Sequence, residues 1–146
     1  MQTGYYEISF DQYPEQSVAF AVVPPYADRI NSDTPFAADY ASGWLIPDAY
    51  KEGYARAARL AGLSWVRERA EWSRINPSEG EYQYDYTNNY MDILKSNGIN
   101  ISVAFHDSPE WAREPNSSIP HDMFKVYDFM YHAAQGIHEM CIRDRY

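Results

Sequence analysis

Residues 5–10, YYEISF, place Tyr6, Ile8 and Phe10 on one side of an extended chain at period two. SVAFAVV, residues 17–23, follows as a mostly apolar run, and both stretches read as strands. PPYADRINSDTP is rich in Pro, Asn, Asp and Ser and reads as a loop, with a boundary near residue 34. FAADYASGW then fits a short buried strand and the turn leaving it. After Pro47 the period lengthens. Tyr50, Tyr54, Ala57, Ala58 and Ala61 mark one helical face, opened near Pro47 and Asp48 and stopped at Gly62. SWVR, residues 64–67, is a short strand, and INPSEGEYQYD is a loop. Tyr86, Tyr90, Ile93 and Leu94 define a second helical face, with Asp85 as N-cap and Gly98 just past the end. INISVAF alternates Ile99, Ile101, Val103 and Phe105 as a strand. Met123, Val126, Tyr127, Met130 and Ala134 form a third helical face, closed by Gly136.

Strand, helix, strand, helix, strand, helix calls for a parallel sheet with helices packed outside it. No G-x-G-x-x-G or G-x-x-x-x-G-K-[ST] is present, so the nucleotide-binding versions of such folds have no support. In parallel α/β folds the chemistry gathers at the carboxyl ends of the strands. Two such ends carry polar and aromatic groups, VRERAEW and FHDSPEW. One edge of the sheet is therefore expected to collect Arg67, Glu68, Trp72, His106, Asp107 and Trp111.

Composition narrows the partners. The 146 residues carry a net charge of −9, which repels phosphate backbones, so nucleic acid is not an expected partner. The longest apolar stretch, VAFAVV, is too short to span a bilayer, and the first residues lack the basic and apolar regions of a signal peptide, so no membrane partner is expected. The compartment stays undefined. Four Trp, fourteen Tyr and six Phe suit sugar rings, whose axial C–H groups pack on aromatic faces; a Tyr-rich core and surface accounts for them equally. A single cysteine, Cys141, excludes an internal disulfide. The four histidines, His106, His121, His132 and His138, show no H-x-x-x-H pair, so no metal is expected.

AGLSWVRERAEWSRINPSEGEYQYD, followed by LKSNGINISVAFHDSPEWA, resembles the amino-terminal half of a clan A glycoside hydrolase of the family 5, 39 and 42 type. There a helix ending in A-G leads into a strand reading W-V-R. A tryptophan and P-x-x-G-x-Y follow, and the next strand ends in a polar residue before P-x-W. The elements occur in order over roughly residues 40–135. The resemblance implies a (β/α)8 barrel that cleaves O-glycosidic bonds of oligo- or polysaccharides by a two-glutamate retaining mechanism without a cofactor. Its acid/base glutamate follows an Asn at the fourth strand, and its nucleophilic glutamate ends the seventh. The chain holds no N-E dipeptide, and a complete barrel needs about 250 residues.

The expected organisation is a β-rich leader or tail of an upstream β-domain (residues 1–34), the first three βα units of a barrel (35–139) and a tail foreign to the family (140–146). Such a partial barrel contains no catalytic residue and is expected to be inactive. Expected substrate-binding residues follow from the match. Arg67 corresponds to the arginine on the family's second strand, which orients the catalytic carboxylates, although pairing with Glu68 is the structural alternative. Arg69 reads as a surface or ion-pairing residue. His106 corresponds to the polar residue on the third strand and competes with a core histidine; Asp107 bonds substrate or caps a turn. Trp111, after a proline at the rim, is expected to stack on a sugar ring; Trp72 either stacks likewise or is buried between helix and barrel, Trp44 is a weaker candidate, and Trp65 reads as core. Glu68, Glu110 and Glu114 read as solvated or ion-paired acids, and Glu139 lies too early in the presumed fourth strand to serve as the catalytic acid. Two other classes remain: a non-catalytic carbohydrate-binding module, against which the strand–helix alternation argues, and another parallel α/β hydrolase using His106 and Asp107, for which no nucleophile or metal partner is evident.

Overall fold

A computed structural model describes residues 2–23 and 37–137. The boundary near residue 34, Glu139 and the 140–146 tail lie outside the described residues. Strands β1 (Gly4–Phe10) and β2 (Tyr13–Val22) pair antiparallel, with a register shift between Ser9 and Phe10. Tyr6 opposes Phe20, their rings 5.4 Å apart and nearly parallel, and Ile8 opposes Val18. Such cross-strand pairs stabilise a hairpin by about 0.2–1 kcal/mol each. None of these side chains joins the main core, and Ile8, Phe10 and Val18 stay more than half exposed.

The second sheet is parallel, with β4 (Trp65–Glu71) between β3 (Ala38–Asp39) and β5 (Asn100–His106). A short helix α1 (Ser42–Leu45) leaves β3, and α2 (Asp48–Leu60) leads on to β4. After β4 come α3 (Trp72–Ile75) and α4 (Asp85–Ser96), and after β5 a 3-10 turn (Glu110–Ala112) and α5 (Met123–Gly136). Gly62 and Gly98 follow α2 and α4 with φ of 91° and 72°, the left-handed conformation that lets the chain turn into the next strand. Strand β4 runs to Glu71, four residues past SWVR, because its ladder with β5 continues to the pair Glu71–His106.

One side of the sheet is the core. Val66, Glu68, Ala70 and Ile101 are buried there, with Val103 and Phe105 packed alongside. Against them lie Ala55 and Ala58 of α2, Tyr90, Met91 and Leu94 of α4, and Phe129 and Ala133 of α5. Each fully buried Met, Leu or Phe contributes about 1.5–3 kcal/mol.

Two of the expected helical faces are corrected. On α2 the buried face is Lys51, Ala55 and Ala58, while Tyr50 and Tyr54 are 62% and 55% exposed. Small alanines let α2 approach closely. The Lys51 ammonium is held by Asp48 Oδ1 at 2.6 Å and the Tyr86 hydroxyl at 3.3 Å, and lies 4.6 Å from the Tyr86 ring centroid. Burial works against that charge, but the bonds to Asp48 and Tyr86 outweigh it and raise the lysine pKa. On α5 Phe129 and Ala133 are buried with Val126 partly so, while Met123 and Tyr127 face outward. Nor does Asp85 cap α4; it occupies the first helical turn, where its carboxylate complements the helix dipole.

Candidate active-site face

Side chains alternate across a strand, so the side of the sheet opposite the core is fixed by register. Asp39 of β3 pairs with Arg67 of β4, Arg67 with Ser102 of β5, Arg69 with Ala104, and Glu71 with His106. These residues share one face, and its carboxyl end carries nearly all the charge of the sheet.

Asp39 organises that charge. Its Oδ2 accepts from Arg67 Nη2 and from Arg69 Nη2, both at 2.8 Å, and Arg67 Nε reaches Oδ1 at 3.4 Å. Hydrogen bonds from Arg67, then Arg69, bring the Asp39 carboxyl down to about 2 and raise the Arg67 pKa. Two guanidinium groups on one carboxylate leave the cluster with an excess positive charge. Arg69 also lies 5.4 Å from the ring centroid of Trp44. Further along, Glu71 pairs with Arg74 at 3.2 Å, and the Arg74 guanidinium covers the Tyr86 ring at 4.1 Å.

Helix α1 brings Trp44 over this face. The indole is 58% exposed, and its ring lies 6.2 Å from that of His106. What holds α1 is Glu68, which is fully buried on the opposite side of β4 from Arg67. Its Oε1 accepts from the Ser42 amide at 3.0 Å and the Ser42 hydroxyl at 2.7 Å, and Oε2 from the Gly43 amide at 3.4 Å. The expectation of a solvated or ion-paired Glu68 is therefore corrected, and Arg67 pairs with Asp39 rather than with Glu68. Tyr86 ties α4 to the same turn by donating to the Gly43 carbonyl.

Of the expected site residues, the structure brings Arg67, His106 and Trp44 to one face. His106 Nε2 is shielded and meets no hydrogen-bond partner among the described residues. Asp107 adopts φ of 61°; its side chain accepts from Ser73 Oγ at 2.9 Å and its carbonyl from the Ser73 amide at 3.0 Å, so it clasps the end of β5 to α3. Trp72 and Trp111 pack with the core instead. Trp72 is 5% exposed, stacks on Phe129 at 4.7 Å and donates to Asn76 Oδ1 at 3.2 Å. Trp111 meets Trp72 edge-on, donates to the Asn76 carbonyl at 3.1 Å, and has the Lys125 ammonium 5.0 Å from its ring centroid. The rim position expected of Trp111 is corrected, because the 3-10 turn after Pro109 folds the indole back. Trp65, expected in the core, is half-buried at the start of β4. Glu110 is exposed, 3.8 Å from Arg113, and Glu114 is exposed.

Asp39 and Glu71 belong to the site but were not singled out from the sequence. The signal for Glu71 is the alternation in WVRERAE, which puts Arg67, Arg69 and Glu71 together and Glu68 opposite. Among the described residues no group of three His, Cys, Asp or Glu side chains is placed to hold a metal ion, and no helix is long and apolar enough to cross a membrane.

Charged and aromatic groups gathered at the carboxyl edge of a parallel sheet are the arrangement in which α/β enzymes place their sites. The model of glycoside hydrolase family 42, beta-galactosidase, matches residues 45–140, and the chain belongs to that family. The structure is similar to that of a family 39 glycoside hydrolase from the gut symbiont Bacteroides cellulosilyticus WH2, with a TM-score of 0.66 and 17% identity over 92% of this chain and 29% of that one. That likeness establishes the fold. A beta-galactosidase from the psychrophilic Marinomonas ef1 aligns at 27% identity over 52% of this chain and 12% of its own, with a TM-score of 0.44. The chain thus spans less than a third of either structure. No curated protein matches it.

Proposed function

We propose that the chain forms the first three βα units of a (β/α)8 glycosidase barrel and supplies one wall of its sugar site. The observation that carries this reading is the convergence of Asp39, Arg67, Arg69, Glu71, His106 and Trp44 at the carboxyl edge of the parallel sheet, where barrel enzymes bind substrate. The family points to β-galactosides as substrates. In a retaining glycosidase one carboxyl group protonates the leaving oxygen and a second, about 5 Å away, attacks the anomeric carbon. The resemblance assigns these to glutamates on the fourth and seventh strands, beyond the strands described. Arg67 and Arg69 then hold positive charge next to the position those carboxylates take, favouring their ionised forms. His106 and Trp44 bind the sugar. A largely apolar cavity of about 410 Å³ beside β5 and α5, lined by Val103, Phe105, Val126, Phe129 and Met130 with His106 and Asp107 at its edge, supports further barrel elements packing there.

The test is saccharide binding. Titrating the protein with a β-galactoside, followed by NMR, should give Trp44→Ala a loss of about 1 kcal/mol, near fivefold in Kd, from one aromatic face. Trp111→Phe should leave binding unchanged. Equal affinities for wild type and Trp44→Ala would remove the sugar from this face.

A further inference from the structure

Helix α1 leaves one of its carbonyls, that of Gly43, without a partner inside the helix. Such an oxygen normally accepts from the amide four residues on, but residue 47 is proline and has no N–H. The turn closes instead from Ile46 to the Ser42 carbonyl at 3.3 Å, and from Trp44 and Leu45 to the Ala41 carbonyl at 3.1 and 2.9 Å. A single turn of four residues has little stability of its own. The donor that Gly43 lacks comes from α4, as the Tyr86 hydroxyl.

The Gly43 carbonyl and the Trp44 amide belong to one planar peptide unit. Tyr86 holds its oxygen and Ala41 its N–H, so the plane is fixed at both ends, and the Trp44 side chain leaves from the next Cα. The Tyr86 hydroxyl is also directed. It has one proton to give, and the Lys51 ammonium at 3.3 Å donates to it and cannot accept. That proton is therefore left for Gly43. Lys51 is buried and is itself held by Asp48 Oδ1 at 2.6 Å. The Tyr86 ring is kept in place by the Arg74 guanidinium, 4.1 Å from its centroid, and by Tyr90, which meets it edge-on at 5.6 Å.

We infer that Tyr86 is a positioning residue of the sugar face: it fixes the indole of Trp44 through the Gly43 carbonyl, with the Lys51 ammonium setting the direction of its hydrogen bond. Glu68, on the amide side of the same turn, keeps α1 on the sheet, and Tyr86 sets how the tryptophan stands there. The inference rests on the sugar-binding reading of the Trp44 face and adds a residue that acts on affinity through the indole.

The experiment uses Tyr86→Phe, which keeps the ring and removes the hydroxyl. NMR relaxation of the Trp44 indole N–H should show a more mobile side chain. Binding of a β-galactoside should weaken about two- to threefold, part of the roughly fivefold that the Trp44 face gives. In a Trp44→Ala background the same change should leave affinity unaltered, because its effect runs through the indole. Tyr84→Phe removes a hydroxyl bonded to another backbone carbonyl, that of His132 at 2.9 Å, and should change neither the indole nor the affinity. An unchanged Trp44 indole in Tyr86→Phe, or a loss of affinity that persists in full without Trp44, overturns the inference. So does equal mobilisation of the indole by Tyr84→Phe. If the wild type binds no galactoside, the sugar reading of the face fails, and the indole relaxation alone decides whether Tyr86 holds Trp44.

Discussion

Replacing Glu68 with alanine removes the acceptor that holds α1 in place. Three donors lose their partner: the Ser42 amide at 3.0 Å, the Ser42 hydroxyl at 2.7 Å and the Gly43 amide at 3.4 Å. Glu68 and Ser42 are buried, so water does not readily replace it. A hydrogen bond to a charged group contributes about 1.5–3 kcal/mol, and the third is long enough to count for little. Against this stands the cost of burying the carboxylate, which the mutation relieves. The balance is a loss of about 3 kcal/mol, a large fraction of the roughly 5–15 kcal/mol that stabilises a domain. Glu68→Gln keeps one oxygen for Ser42 and should cost about 1–2 kcal/mol. Urea unfolding followed by circular dichroism measures both, and hydrogen exchange at Ser42 and Gly43 shows whether the loss is local. A Glu68→Ala change below about 1 kcal/mol, with unchanged exchange at both amides, would refute the role of Glu68 as the anchor of α1.

Gly43→Ala should destabilise by about 1–3 kcal/mol in the same unfolding assay. An added Cβ would lie 2.6 Å from Tyr90, whose ring is buried and whose hydroxyl is fixed to the Arg69 carbonyl at 3.0 Å. Asp39 should titrate near 2 by carbon-detected NMR, against roughly 3.9 in an unfolded chain. Because the folded value is the lower one, its contribution to stability is present above about pH 4 and is lost as pH falls toward 2. Asp39→Asn should flatten the pH dependence of stability in that window, and an unchanged slope would contradict the shared Arg67–Arg69 pairing.

The strand and helix positions were legible because period-two and period-3.6 patterns survive in single segments. Helix α2 was expected after Pro47 and runs from Asp48 to Leu60; α4 was expected to stop at Gly98 and ends at Ser96. Which face of a helix is buried depends on its neighbours, and that information is tertiary. Lys51 is inside because Asp48 and Tyr86 satisfy its charge, whereas Tyr50 and Tyr54 stay more than half exposed. The site was half legible for the same reason. Arg67 and His106 sit at strand ends, and their register follows from alternation. The position of Trp44 depends on α1, a four-residue helix held by a buried carboxylate from another strand, and no periodicity announces such a contact. Trp111 looked exposed because a Pro-x-Trp at a strand end usually leaves the sheet, but its indole N–H is committed to Asn76 and its ring to Trp72.

In the proposed function this chain binds the sugar and leaves bond cleavage to glutamates on later strands. Hydrolysis of an aryl β-galactoside by the 146-residue protein, measured alongside binding of the same compound, tests it most directly. Trp44-dependent binding with turnover at the level of buffer is expected, because among the described residues the other carboxyl group on the face of Glu71, that of Asp39, is held by Arg67 and Arg69. Turnover above background that Glu71→Gln abolishes would contradict it, placing the catalytic acid on β4.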